Sequence, residues 1–190
     1  TSVAEMYQTI REIAVEAQAA KQFIGVTVAA SFGCPFEGEI SPQRVATMAR
    51  QFADLGVDEI ALADTIGVAV PSDVSRLLEL VAREVGSTPI RVHFHNTRNT
   101  GVANAYAAFQ AGVRIIDASC GGVGGCPFAP GATGNVATED VLYMLQRMGV
   151  ETGISIEKII STAKWLEGPL GSAMPAMVSR AGLFPPAAAA

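Results

Sequence analysis

The chain is expected to be an α/β protein of the (β/α)8, or TIM, barrel type, covering about the last four β/α units of such a barrel plus its C-terminal helices. Three observations carry that expectation. Four short apolar runs, each followed by a helical period, recur along 190 residues. The runs are continuous rather than strictly alternating, which is the pattern of parallel strands buried on both faces. Polar residues gather after each run, at Gly33–Glu37, Asp64-Thr65, His93–Thr97 and Ser119–Asn135. A barrel collects the C-terminal ends of its strands around one mouth, where its chemistry occurs. An open doubly wound sheet fits the same alternation. No Gly-x-Gly-x-x-Gly follows the first strand, so the dinucleotide-binding version of that sheet has no support.

Thr1–Ala20 reads as a helix, with Val3, Met6, Tyr7, Ile10, Ile13, Ala14 and Ala17 at helical spacing. Phe23–Ala30 is the first strand and runs into a loop holding Gly33, Cys34 and Pro35. Ser41-Pro42 opens a helix as N-cap and first helical residue, and that helix ends at Leu55 before Gly56. Val57–Ala63 is the second strand and delivers Asp64-Thr65 into a loop with Gly67. Pro71 to Val85 is a helix closed by Gly86. Ile90–His95 is the third strand, Asn99–Ala111 the next helix, and Val113–Ala118 the fourth strand, which leads into a glycine-rich loop. Thr138-Glu139-Asp140 caps a helix to Met148, and Ser155–Leu166 is another. Residues 1–168 are therefore read as the C-terminal half of a barrel domain. Residues 169–190 form a Pro- and Ala-rich tail with one short helix and a partly disordered end. A chain that starts on a helix has no first strands to close a cylinder, and its sheet edges need covering. It is expected to be the C-terminal portion of a longer protein, or else to complete its barrel with another chain.

Composition excludes several classes. A net charge of -5, a pI near 5.0 and the lack of any basic cluster leave no footprint for nucleic acid. No apolar run is long enough for a membrane span. Thr1 to Lys21 is amphipathic and carries Glu5, Arg11, Glu12 and Glu16, unlike a signal peptide. Cys34, Cys120 and Cys126 cannot all pair, and their spacing fits no zinc ribbon, so a reduced, cytoplasmic protein is expected.

The stretch Val92-His93-Phe94-His95-Asn96-Thr97 holds the only two histidines. Side chains alternate along a strand, so His93 and His95 share a face about 7 Å apart. One histidine in an apolar strand is more often a hydrogen-bonded core residue than a ligand. Two on one face at a strand end, feeding a polar loop, point to something that binds nitrogen. Neutral imidazole is a common ligand of divalent metals.

A resemblance enters with four runs in register. They are Leu62-Ala63-Asp64-Thr65-Ile66-Gly67, then His93-Phe94-His95-Asn96-Thr97, then Gly121-Gly122-Val123-Gly124-Gly125-Cys126-Pro127-Phe128-Ala129, then Gly134-Asn135-Val136-Ala137-Thr138-Glu139-Asp140. Together they resemble the 3-hydroxy-3-methylglutaryl-CoA lyases, metal-dependent barrel enzymes related to isopropylmalate and homocitrate synthases. The likeness runs from the first helix to about Ile160. It implies that His93, His95 and Asn135 bind Mg²⁺ or Mn²⁺, a donor set that suits an octahedral cation and is poor for structural zinc. It implies an acyl-CoA substrate, a homodimer, and a retro-Claisen cleavage in which His93 takes the C3 hydroxyl proton and Cys126 protonates the departing enolate. An unperturbed thiol near pKa 8.5 can exchange protons near neutrality. Asp64 and Thr65 match active-site positions of that family, and Glu139 either orients Asn135 or partners its own helix N-terminus.

The family's fourth metal ligand, an Asp in an Arg-Asp pair on the first barrel strand, has no counterpart in this chain. Many of these lyases read His-x-His-Asp-Thr, whereas Asn96 stands here, followed by Arg98 where Tyr is frequent. Those changes bear on which acid end group the substrate carries. The resemblance thus implies cleavage of 3-hydroxy-3-methylglutaryl-CoA to acetyl-CoA and acetoacetate. Its rivals are a sister lyase for another branched 3-hydroxyacyl-CoA such as citramalyl-CoA, and a Claisen-type synthase. A catalytically incomplete binding or assembly module is the reading from a different class. Synthases do not normally carry the Gly-Gly-x-Gly-Gly-Cys-Pro loop. Cys34, Cys120, Trp165, Met174 and Met177 are read as packing residues.

Overall fold

The structure, a computed structural model, describes residues 2–125 and 134–185. In chain order these form α1 (Val3–Ala19), β1 (Gly25–Val28), α2 (Pro42–Asp54), β2 (Glu59–Asp64), α3 (Pro71–Val85), β3 (Ile90–Phe94), α4 (Gly101–Gln110), β4 (Ile115–Asp117), α5 (Thr138–Arg147), α6 (Ile156–Leu170) and α7 (Met177–Ala181). A 3₁₀ turn, Cys120–Gly122, lies between β4 and α5. The four strands are parallel and sit side by side in chain order, β1-β2-β3-β4. The expected α/β alternation is therefore present.

One face of this sheet makes the core. Val26, Val28, Ile60, Leu62, Val92 and Phe94 are buried there among Val45, Ala49 and Phe52 of α2, Val74, Leu77 and Val81 of α3, and Ala105 and Ala108 of α4. Burying a Val, Leu or Phe side chain in such a layer contributes about 1.5–3 kcal/mol each. The expectation that every strand is buried on both faces holds for β2 alone. In β1 burial alternates, and β3 and β4 are only partly covered. The reason is in the register. Thr27, Ala61, Arg91 and Ile115 stand abreast on the second face, as do Ala63, His93 and Asp117 one step toward the C-terminal ends. That face is largely polar, with an ion-paired row running across it. Arg91 bonds Glu59 (Nε to Oε1, 2.7 Å) and also Asp117.

Several boundaries shift for local reasons. β1 is shorter than Phe23–Ala30 because Phe23 is exposed and Ala30 has φ 52°, a left-handed turn that no strand continues through. β4 occupies only the middle of Val113–Ala118. α6 runs past Leu166 to a left-handed Gly171 cap, so the expected division at residue 168 falls inside a helix. α5 begins at Thr138 as expected but has no side-chain cap; Asp140 reaches α7 instead. The tail contains the short helix α7, and residues 186–190 lie outside the described residues. Of the expected packing residues, Met174 is buried whereas Trp165 and Met177 are exposed. α1 carries a full capping box between Ser2 and Glu5, and Tyr7 meets Phe52 at 5.9 Å. Its Val3, Met6, Ile13 and Val15 are uncovered in this chain.

Candidate functional site

β3 places His93 on the polar face beside Asp117, and His95 follows one step beyond the strand. His95 is 5% exposed and pairs with Asn135 through an isolated antiparallel bridge. The two imidazole centroids are 5.2 Å apart with planes at 67°. Burial first, and the neighbouring His93 second, hold the His95 imidazole below its usual 6.5, so it is neutral at physiological pH. Neutral imidazole is the form that binds a metal.

Asn135 is held from two directions. Its backbone N–H donates to the Gly122 carbonyl (3.2 Å), and its side-chain Nδ2 donates to the Val123 carbonyl (2.9 Å). The amide oxygen Oδ1 is then left buried with no partner, and so is Nδ1 of His95. Orphaned buried acceptors are rare, and one at each side of a site calls for a ligand. Two imidazoles and an amide oxygen at one strand end fit a divalent cation whose remaining positions come from oxygen donors. Among the described residues, no three His, Cys, Asp or Glu side chains converge to hold a metal.

Sequence reasoning missed Asp117. Its Oδ2 stands 3.6 Å from Nδ1 of His93 while pairing with Arg91. The signal was available: Glu59-x-Ala61-x-Ala63 and Arg91-x-His93-x-His95 alternate polar or small residues with bulky apolar ones. That alternation marks one face as a wet interior and singles out the acid at the end of β4.

Asp64 ends β2 and is almost completely buried. Its Oδ1 accepts the Val68 N–H (2.9 Å) and its Oδ2 the Ala69 N–H (3.1 Å), which shapes the loop into α3. Burial raises its pKa above the ordinary 3.8, against the pull of these N–H groups and of Arg98. Arg98 donates to the carbonyls of Ile66 (2.9 Å) and Gly67 (3.1 Å), tying the β3 loop to the β2 loop. Thr65 Oγ1 accepts the Ala30 N–H at 2.9 Å. Asn96 Oδ1 accepts the Gly101 N–H at 2.9 Å, at the start of α4, and the Asn96 N–H reaches the Gly134 carbonyl at 3.0 Å. These four residues knit the loops of the mouth into one unit. In the full-length protein, Asp64→Ala should lower the unfolding free energy by about 2–4 kcal/mol, because a buried and a part-buried N–H donor lose their acceptor. Urea melts would check it. The raised carboxyl pKa sets the sign with pH: Asp64's contribution is complete below 3.8 and is reduced as pH rises through the folded value. The gap between wild type and variant should widen on acidification across that window.

Glu139 makes no bond to Asn135. It is fully buried, with Oε2 accepting the Gly121 N–H (3.0 Å) and Oε1 the Ser179 hydroxyl (2.5 Å). Cys120 Sγ donates to the Ile159 carbonyl (3.4 Å), and burial with the nearby Glu139 charge keeps it a thiol. Cys34 sits in a tight bridge with Gly38. Cys126 lies outside the described residues.

A family model described as HMGL-like matches residues 1–166. An (R)-citramalyl-CoA lyase of Chloroflexus aurantiacus is 48% identical over 158 residues, covering 83% of this chain and 50% of that protein. The mitochondrial hydroxymethylglutaryl-CoA lyase of Homo sapiens is 40% identical over 165 residues, covering 87% and 51%. The structure of an HMG-CoA lyase from Acinetobacter baumannii, in complex with coenzyme A and 3-methylmalate, superposes with a TM-score of 0.92 at 39% identity, covering 97% of this chain and 60% of that one. The chain thus spans between 50% and 60% of the length of these relatives. No helix among the described residues is long and apolar enough to cross a membrane.

Proposed function

This chain belongs to the HMGL-like family, and from that premise we propose that it is half of a metal-dependent carbon–carbon lyase acting on a branched 3-hydroxyacyl-CoA. The observation that carries the reading is the pair of buried, partnerless acceptors, His95 Nδ1 and Asn135 Oδ1, on facing sides of one bridge. With His93 they would hold Mg²⁺ or Mn²⁺. When bound, such a cation polarises the substrate hydroxyl and lowers its pKa.

The chain's own residues do the rest. Asp117, which stands beside Nδ1 of His93, takes up the C3 hydroxyl proton while His93 orients that hydroxyl. The C2–C3 bond then breaks, its electron pair passes to C2 as the thioester enolate, and C3 becomes a carbonyl. Cys126 returns a proton to C2. The unit formed by Asp64, Thr65, Asn96 and Arg98 keeps the mouth in register and brings a guanidinium to the substrate's acid end. The four strands supply half of a (β/α)8 cylinder, and the polar row Glu59-Arg91-Asp117 belongs to its interior. The remaining strands of such a cylinder, with the Arg-Asp pair that the family resemblance implies, would come from a longer protein. Accordingly, the 190-residue chain alone should show little lyase activity. Robust turnover by a verified monomer of it would contradict the half-barrel reading.

3-Hydroxy-3-methylglutaryl-CoA, giving acetyl-CoA and acetoacetate, is the first substrate. Citramalyl-CoA is the second, favoured by the 48% identity to the Chloroflexus aurantiacus lyase. It differs in carrying its carboxylate one carbon closer to C3. Full-length protein should be assayed on both thioesters with Mg²⁺ and Mn²⁺. A kcat/KM at least about tenfold higher for one, equal to about 1.4 kcal/mol of transition-state discrimination, would identify it. No turnover of either, with protein shown to be folded, would reject the lyase reading.

A further inference from the structure

The segment from Met174 to Ala181 takes no part in the chemistry above, yet it is built directly onto the glycine turn. The Ala176 N–H donates to the Gly121 carbonyl at 3.2 Å. Met174 fills the space where a Gly121 side chain would stand: a Cβ there would meet its Sδ at 2.8 Å. Gly121 has φ 71°, so only glycine combines that backbone with that contact. The Met177 and Val178 N–H groups, at the start of α7, donate to the two oxygens of Asp140 at 3.2 and 2.8 Å. Arg180 folds back onto the Met174 carbonyl, with Nη2 at 2.7 Å.

Glu139 joins this segment to the site. Its carboxylate accepts the Ser179 hydroxyl on one oxygen and the Gly121 N–H on the other. A buried carboxylate with two oxygens and two donors is satisfied only while both donors stay in place. Both backbone polar groups of Gly121 are thereby fixed, one by Glu139 and one by the C-terminal segment. The next residue, Gly122, offers the carbonyl that receives the Asn135 N–H. The sequence of contacts runs Ser179, Glu139, Gly121, Gly122, Asn135, and it ends on the residue whose amide oxygen is left free.

We propose that Ser179 is a positioning residue: through Glu139 it fixes the Gly121–Gly122 turn and so sets the Asn135 amide for the divalent cation. The inference rests on the metal reading of His93, His95 and Asn135, and it makes α7 part of the cation site although no residue of α7 touches it. Residues that orient a ligand from behind change metal affinity by about 10–100-fold when removed. A helix that only added stability would leave that affinity alone.

The test uses full-length protein carrying Ser179→Ala, Ser179→Thr or His95→Ala. Two readouts are taken well below the melting temperature: Mn²⁺ affinity by EPR titration, and exchange rates of the Gly121 and Asn135 amides. Ser179→Ala should weaken Mn²⁺ about tenfold and speed exchange of both amides by about tenfold. Ser179→Thr, which keeps the hydroxyl, should restore both. Wild-type Mn²⁺ affinity in Ser179→Ala, while His95→Ala has lost it, would overturn the proposal and leave the metal reading standing; a lowered Tm alone counts the same way. Wild-type affinity in His95→Ala would overturn the metal reading. In that case faster amide exchange in Ser179→Ala would still support the link from Ser179 to the turn, and unchanged exchange would remove it.

Discussion

Full-length protein with His95→Ala is expected to bind Mn²⁺ more than about 100-fold less tightly than wild type, because a direct ligand should cost at least as much as the groups behind it. His95 is buried, kept neutral by its surroundings, and has a ring nitrogen with no protein partner. Alanine removes that nitrogen and cannot be replaced by a neighbour, since His93 lies on the strand and Asn135 is anchored by Val123 and Gly122. Lyase turnover should fall with metal occupancy. Saturating Mn²⁺ should recover part of it, which separates lost binding from lost chemistry. A titration identical to wild type would remove His95 from the donor set.

The second large effect is on proton transfer. Cys126→Ala in the full-length enzyme should lower kcat by about 10²–10⁴-fold, the range for a positioned acid or base, with Mn²⁺ affinity unchanged. The split distinguishes a thiol that delivers a proton at C2 from one that shapes the loop around the cation, where affinity would fall as well. Wild-type kcat in Cys126→Ala would exclude the thiol from the reaction.

Much of the fold was legible because strand and helix periods are strong here and are bracketed by Pro and Gly. Pro42 and Pro71 start α2 and α3, and Gly56 and Gly86 follow the ends of those helices. What was not legible is which face each strand turns where. Continuous apolar runs suggested burial on both sides, but Glu59, Arg91 and Asp117 come within reach of one another only across three paired strands, which no single strand reveals. The histidine pair could be read directly from period-2 spacing, whereas its relation to Asn135 depends on a bridge across 40 residues of chain. Glu139 shows the limit of local reasoning. Four residues after Asn135, it looked like a partner of that residue or of its own helix, and it instead joins the Gly121 turn to Ser179 of α7. Asp140 likewise caps α7 rather than α5. Both partnerships are set by a C-terminal segment that comes back over the glycine turn, and nothing in the spacing of the acids announces it.

The proposal that His93 of β3 and His95 just beyond it share one cation is open to direct spectroscopic measurement. Electron spin-echo modulation of Mn²⁺ bound to full-length protein reads nitrogen coupled to the metal, and ¹⁵N-histidine labelling assigns it to imidazole. Two coupled histidine nitrogens in wild type, falling to one in His95→Ala, is the expected result. A Mn²⁺ signal free of histidine nitrogen coupling, from protein that turns over its thioester with that same metal, would contradict it.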